Sequence, residues 1–179
     1  LRIQYGTSFF YPVSTVGSHV SAVPNHQTGR STSMEIRGLT AMAGSFGYEL
    51  DITKFDTEEK ECIKEQINYF KEKRNLVMDG TYYRLVSPYE KDGLSAWIIV
   101  SKEQDSFLLS IAGDRVHGNP RPLHIRLKGL NPEFNYQIDG QIYGGDALMK
   151  GGIAFKGLSG DQPVLKLYGE LIKERKEEV

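Results

Sequence analysis

Cysteine is almost missing: Cys62 is the only one in 179 residues, which excludes an intrachain disulfide and any Cys-rich metal cluster. No Asn-x-Ser/Thr sequence occurs either, and with the lone thiol this predicts a cytoplasmic protein. No stretch approaches the roughly 20 apolar residues that cross a bilayer, and no charged-then-apolar segment opens the chain. Neither membrane insertion nor export is therefore expected. Charge of one sign is not in excess: 22 basic residues stand against 23 acidic ones, without a basic stripe, which argues against nucleic acid or an anionic membrane as partner. Gly-x-Ser-x-Gly elbows, Walker loops and dinucleotide fingerprints are absent, so Ser8 and Ser21 lack the pattern of a nucleophile. Residue 1 is Leu rather than Met, which predicts a processed or excised chain.

With 39% hydrophobic and 25% charged residues, the composition is that of a chain able to bury a core. Its texture changes near Met78, Asp79 and Gly80, which predicts a domain boundary between residues 1–78 and 79–179. In the first part, the aromatic run at residues 7–11 reads as a buried strand. Thr32 and Glu35 have capping-box spacing for a helix ending before Gly44. Residues 46–52 alternate large apolar and polar side chains, as a strand does. Asp56 and Glu59 then open an amphipathic helix of about four turns through Cys62, Ile63, Ile67 and Phe70. Strand, helix, strand, helix is the rhythm of two βα units, too few to close a barrel.

Beyond Gly80 the runs become short and β-like: residues 81–86, 96–100, 106–112, 123–128, 136–138 and 164–172. Turn signals separate them at Asp92-Gly93, Asn119-Pro120, Asn131-Pro132, Asp139-Gly140, Gly144-Gly145 and Gly160. This spacing predicts an antiparallel sandwich. Residues 146–149 fit one helical turn, and the charged tail at 170–179 is expected to fray.

The connection at residues 12–30 is unusually long and carries two His, an Asn, a Gln and an Arg among small apolar residues, a composition suited to the polar wall of a ligand site. His19 and His26 have no Cys or carboxylate at ligand spacing, so they are read as structural rather than metal-binding. Glu49 and Asp51 share one side of a predicted strand, but two carboxylates at the exposed end of a strand are common by chance. Trp97 and the tyrosines after residue 80 are read as sandwich core before sugar platforms. The Glu- and Lys-rich face of the second helix reads as solvated.

Taken together, Gln4-Tyr5-Gly6-Thr7-Ser8, Tyr11-Pro12, the block from His19 to Gln27 (His-Val-Ser-Ala-Val-Pro-Asn-His-Gln), Thr28-Gly29-Arg30 and Gly47-Tyr48-Glu49-Leu50-Asp51 closely resemble the α-galactosidases of glycoside hydrolase family 36. The likeness continues through Tyr69-Phe70-Lys71, Arg74, Tyr82-Tyr83-Arg84-Leu85, Pro88 and Lys128-Gly129-Leu130. Val13 and Val16 depart from it, standing where Pro and Met are expected. The resemblance implies an α/β plus all-β chain: the last two βα units of a (β/α)8 barrel, with residues 7–11 as its seventh strand and 47–51 as its eighth, followed by an antiparallel β-sandwich. It implies retaining hydrolysis of terminal α-galactosides of the melibiose and raffinose type by two carboxylates about 5 Å apart, without metal or organic cofactor. The family's nucleophile motif (Lys-x-Asp-x-Asn) and its Ser-Asp acid/base motif have no counterpart here, so no catalytic residue is assigned. Tyr11, His19, Asn25, His26, Arg30 and Glu49 are the substrate-binding candidates, because active sites form at the C-terminal ends of barrel strands.

Three readings follow: part of a galactosidase inactive by itself, a sugar-binding or interaction module, or part of a raffinose-type galactosyl transferase. Exposed Phe9, Phe10 and Phe46 in an incomplete barrel would favour self-association, hence a homo-oligomer.

Overall fold

The computed structural model describes residues 1–90, 93–116, 118, 122–155 and 158–172. The expected turns at Asp92 and Asn119-Pro120, and the tail from residue 173, lie outside them.

The chain opens with helix α1 (Arg2–Thr7), not with a strand at residues 7–11. There the backbone closes into turns, with the N–H groups of Phe10 and Tyr11 both donating to the Thr7 carbonyl. A tertiary partner holds this shape: Arg84 donates from Nη1 to the Ser8 carbonyl at 2.7 Å, and its guanidinium lies 3.9 Å from the centre of the Phe9 ring. Aromatic β propensity is thus overridden by a cation seated on the turn.

The first strand, β1, comes ten residues later at Gly17–Ser21, followed by helix α2 (Met34–Ala41), strand β2 (Ser45–Glu49) and helix α3 (Thr57–Asp79). The strands pair in parallel, with His19 opposite Gly47 and Ser21 opposite Glu49. Parallel neighbours need a crossover, and α2 supplies it. Two βα units are therefore present, the first displaced from its expected position.

The cap of α2 is Ser33 rather than Thr32: Ser33 Oγ accepts the Ile36 N–H. Helix α3 starts as the sequence predicts, with Asp56 accepting the Glu59 N–H at 2.8 Å and Glu59 reaching back to the Asp56 N–H. It runs 23 residues rather than four turns, because its last part is still packed: Val77 is fully buried.

Strands β3 (Thr81–Val86), β4 (Ser95–Val100), β5 (Ser106–Ala112), β6 (Leu123–Ile125), β7 (Asn135–Ile138) and β8 (Gln141–Gly144), helix α4 (Gly145–Lys150), then β9 (Ile153–Phe155) and β10 (Val164–Leu171) complete the chain. Six of the strands form an antiparallel sheet in the order β3-β4-β5-β10-β7-β8, and β6 pairs with β9 in a second sheet. The fold thus has the architecture the sequence predicts, two βα units followed by an antiparallel sandwich domain. Two strands, β8 and β9, were not expected. β8 follows a tight hairpin in which Asp139 and Gly140 both have positive φ, the geometry that matches strand twist. β6 ends at Ile125, short of residue 128, because the Leu127 N–H turns to the Leu148 carbonyl of α4.

The middle of the large sheet is buried on both faces. Ile98, Val100, Phe107, Leu109 and Ile111 pack towards Ile125, Leu127, Tyr136 and Phe155. On the opposite face, Trp97, Ile99, Leu108 and Ala112 pack against Ile36 and Leu39 of α2 and Val77 of α3. That double cover explains why β4 and β5 read as nearly unbroken apolar runs despite being antiparallel. At the junction of α3 and β3, a side chain on Gly80 would fall 2.4 Å from the Leu76 carbonyl oxygen and 2.8 Å from that of Val100, so the helix meets the sheet with no linker between them.

Candidate functional site

Alternation along β1 and β2 divides the parallel pair into two unlike faces. Val20 points under the helices, where it meets Met34, Ile63, Phe46 and Tyr48. Phe46, expected to face the barrel and be left exposed with Phe9 and Phe10, is instead partly buried on this covered side. The other face carries His19, Ser21, Ser45 and Glu49, all exposed.

On that open face His19 and Glu49 are brought together: imidazole Nε2 stands 2.5 Å from Glu49 Oε2. Their strands place them on a diagonal, Glu49 two residues beyond the partner of His19. The directly opposite position is Gly47, whose missing side chain leaves His19 room to lean towards Glu49. Glu49 is the last residue of β2, and His19, in the middle of β1, leans towards that same end, where residues 22–33 leave the sheet.

This connection is built around Asn25. Its Oδ1 accepts hydrogen bonds from the N–H groups of Gln27 (3.1 Å) and Thr28 (3.0 Å) and from the Thr28 hydroxyl (3.1 Å). Its backbone closes the turn, with the Asn25 N–H on the Arg30 carbonyl and the Gly29 N–H on the Asn25 carbonyl. An Asn used in this way folds its own loop. Both ends are gathered by Arg37 of α2, which donates from Nη1 to the Ser21 carbonyl at 2.7 Å and from Nε to the carbonyls of Thr32 (3.0 Å) and Ser33 (3.3 Å). Burial lowers the Arg37 pKa, with nearby Glu59 and Glu35 opposing that effect.

Beside the loop lies an open cleft of about 540 Å³, lined among others by His19, Asn25, Arg30, Arg37, Pro88 and Asp114. It therefore takes residues from the βα units and from the loops of the large sheet. Of the sequence candidates, His19, Asn25 and Arg30 border it. Glu49 joins through His19, and His26 is exposed on the loop without lining the cleft. Tyr11 is elsewhere: it precedes β1 instead of following a strand, and borders a separate hollow of about 330 Å³ with Phe10, Val77 and Arg84. Arg37 and Asp114 were not singled out from sequence. For Arg37 a signal existed, a lone cation in a short helix otherwise rich in small and apolar residues.

Asp51 does not pair with Glu49. It caps a 3-10 turn (Ile52–Lys54), accepting from the Thr53 N–H at 3.0 Å and the Thr53 hydroxyl at 2.6 Å. Those hydrogen bonds hold its carboxyl below the usual range. Behind the open face, the Tyr48 hydroxyl donates to Gln66 Oε1 at 2.7 Å while Gln66 Nε2 donates to the Met34 carbonyl at 3.0 Å, tying β2 to both helices. Burial pushes the Tyr48 phenol up to about 12. Trp97 and Tyr136 are core residues, 2% and 0% exposed. An imidazole, a carboxylate, hydroxyls and guanidinium groups around an open cleft can hydrogen-bond a polyhydroxylated ligand.

Known proteins resemble this chain in sequence and in fold. The family profile described as Melibiase matches residues 1–80, and that of the glycosyl hydrolase family 36 C-terminal domain matches residues 94–163. The chain is 52% identical over 154 residues to the bifunctional alpha-galactosidase/sucrose kinase AgaSK of Mediterraneibacter gnavus, covering 85% of this chain and 16% of that protein. It is 48% identical over 162 residues to alpha-galactosidase AgaA of Geobacillus stearothermophilus, covering 90% and 22%. The solved structure of the family 36 alpha-galactosidase AgaB of Geobacillus stearothermophilus superposes with a TM-score of 0.90 at 46% identity, over 95% of this chain and 24% of that one. A variant of AgaA solved in complex with raffinose superposes with a TM-score of 0.91 at 44% identity, over the same shares. The chain thus spans about a fifth of the length of the curated relatives it matches.

Proposed function

Because the chain belongs to glycoside hydrolase family 36 and matches its C-terminal portion, we propose that it supplies part of the pocket wall of an α-galactosidase. In this reading, residues 1–78 form the last two βα units of the catalytic barrel and residues 79–179 the β-domain that braces them. The observation that carries it is the open polar face of β1 and β2, on which His19, from the middle of β1, joins Glu49 at the C-terminal end of β2, the end at which barrel enzymes place substrate. The bound sugar is a terminal α-galactoside of the raffinose type, the ligand class of the AgaA complex. His19, Asn25, Arg30 and Glu49 shape its surroundings. The nucleophile and the acid/base belong to other barrel strands, and the chain by itself does not turn over substrate.

The test is hydrolysis of nitrophenyl α-galactoside by two proteins: this chain, and AgaA of Geobacillus stearothermophilus with its corresponding segment replaced by this chain. Activity in the replacement protein and none in the chain supports the proposal. Turnover by the chain at the enzyme's rate would overturn it. A free-standing sugar-binding module is disfavoured by the burial of Trp97, since such modules present their aromatic side chains to the ligand. Self-association is proposed as well: Ile3, Phe9 and Phe10 are 86%, 56% and 82% exposed, and sedimentation that depends on concentration would support it.

A further inference from the structure

One side chain of the β-domain reaches the pocket loop. Gln162 stands two residues before β10, in the turn that pairs with residues 113–116. Its Oε1 accepts the Ser33 N–H at 2.6 Å, and its Nε2 donates to the Ser31 carbonyl at 3.3 Å. Both ends of one amide therefore hold the backbone just where the 22–33 connection enters α2. The partners are 129 and 131 residues apart in sequence, so nothing local brings them together.

The backbone of Gln162 is itself unusual. Its φ is 56°, a left-handed conformation that a non-glycine residue adopts at a cost. The turn supports it from three sides: the Gln162 N–H donates to the Asp114 carbonyl at 2.8 Å, the Gly113 N–H donates to the Pro163 carbonyl, and the Val116 N–H donates to the Gly160 carbonyl. Asp114, which anchors Gln162, also lines the cleft beside His19, Asn25 and Arg30. Arg37 fixes the same loop end from below through Thr32 and Ser33, and additionally fixes its start at Ser21.

We propose that Gln162 is a positioning residue: through its amide the β-domain sets the conformation of the 22–33 loop, and with it the shape of the sugar pocket. The second half of that statement rests on the α-galactosidase reading above; the first does not. The Gln162 amide bonds to the backbone of Ser31 and Ser33 and acts through the loop backbone.

Hydrogen exchange of the whole chain tests it, using Gln162→Gly as the main variant because glycine accepts the left-handed backbone while lacking the amide. Amides of residues 22–33 should exchange about threefold to tenfold faster, the effect of losing the short bond to Ser33 with little added by the longer one to Ser31, while those of β4 and β5 stay as before. Gln162→Glu keeps the acceptor for Ser33 and should restore protection there. Unchanged loop exchange in Gln162→Gly, or an equal rise in β4 and β5, would overturn the proposal. In the AgaA replacement protein the same variant should raise KM by about threefold to tenfold with kcat within about twofold. A looser loop with unaltered KM upholds positioning by Gln162 and removes the sugar pocket from that loop. A raised KM without a looser loop counts against Gln162.

Discussion

The ammonium of Lys73 on α3 lies 3.4 Å from the centre of the Tyr168 ring on β10. The contact is reciprocated: Lys166, two residues before Tyr168, lies 3.8 Å from the ring of Tyr69, four residues before Lys73. Each element thus gives one cation and one ring, using the period of the helix and the period of the strand at once. The Lys73 side chain is only 14% exposed, which strengthens the attraction. A double-mutant cycle on Lys73→Met and Tyr168→Leu, followed by urea unfolding, should give a coupling of about 0.5–2 kcal/mol. A coupling near zero would reduce the pair to a chance of packing.

Alkaline pH should weaken the fold. Burial pushes the phenols of Tyr48, Tyr69 and Tyr82 up to about 12, whereas in the unfolded chain tyrosine titrates near 10. Their contribution is complete below pH ~10 and is lost as the pH rises through about 12, because the unfolded chain gives up these protons first. Lys166, lowered by burial, acts in the opposite sense and adds stability as pH climbs towards the ordinary lysine value. Urea midpoints measured from pH 8 to 11.5 should therefore fall steeply beyond pH 10. Tyr69→Phe, which keeps the ring beneath Lys166, should flatten the fall and leave the midpoint at pH 8 nearly unchanged.

Gly38 should tolerate no side chain. A methyl there would lie 2.2 Å from Oε1 of Gln66, and Gln66 is held by Tyr48 and the Met34 carbonyl. Helix propensity alone favours alanine over glycine by about 1 kcal/mol. Overpacking opposes it by about 1–3 kcal/mol and breaks the Gln66 bridge besides. Gly38→Ala should accordingly destabilise, as read from thermal or urea unfolding; a stabilised variant would mean that Gln66 moves aside freely.

The open face should separate binding from stability. His19 and Glu49 form an exposed side-chain contact, of a kind worth about 0–1 kcal/mol, so His19→Ala should scarcely alter unfolding of the chain. In the AgaA replacement protein the same change should raise KM for nitrophenyl α-galactoside. Asn25 acts differently: Asn25→Asp keeps the acceptor oxygen for Gln27 and Thr28 and should retain activity, whereas Asn25→Ala should loosen the loop and lose affinity. If Asp and Ala prove equally harmful, Asn25 acts through its amide nitrogen rather than as the organiser of the turn.

How much of this was readable without coordinates depended on where each segment gets its stability. The start of α3 was legible because Asp56 and Glu59 satisfy each other locally. β3 to β5 were legible because burial on one or both sides leaves dense apolar runs. β1 was not, since Val20 is the one buried residue in Gly-Ser-His-Val-Ser, and a strand whose other face is polar resembles a loop. Conversely, Phe9, Phe10 and Tyr11 look like a strand only until Arg84, distant in sequence, is placed on them. The candidates His19, Asn25 and Arg30 followed from the density of polar groups in one segment. Arg37, Asp114 and Gln162 act through backbone carbonyls and N–H groups, whose partners leave no mark in the sequence.

Trp97 is covered by the helices of the first part of the chain, and Gly80 joins those helices to the sheet without slack. The β-domain is therefore not portable. Severed at Gly80, it would turn an indole and the neighbouring Ile99 and Leu108 out to water, and the helices would lose the surface on which they rest. Any lineage exchanging this domain for another would have to exchange the undersides of α2 and α3 in the same step, so the two halves are bound to change together.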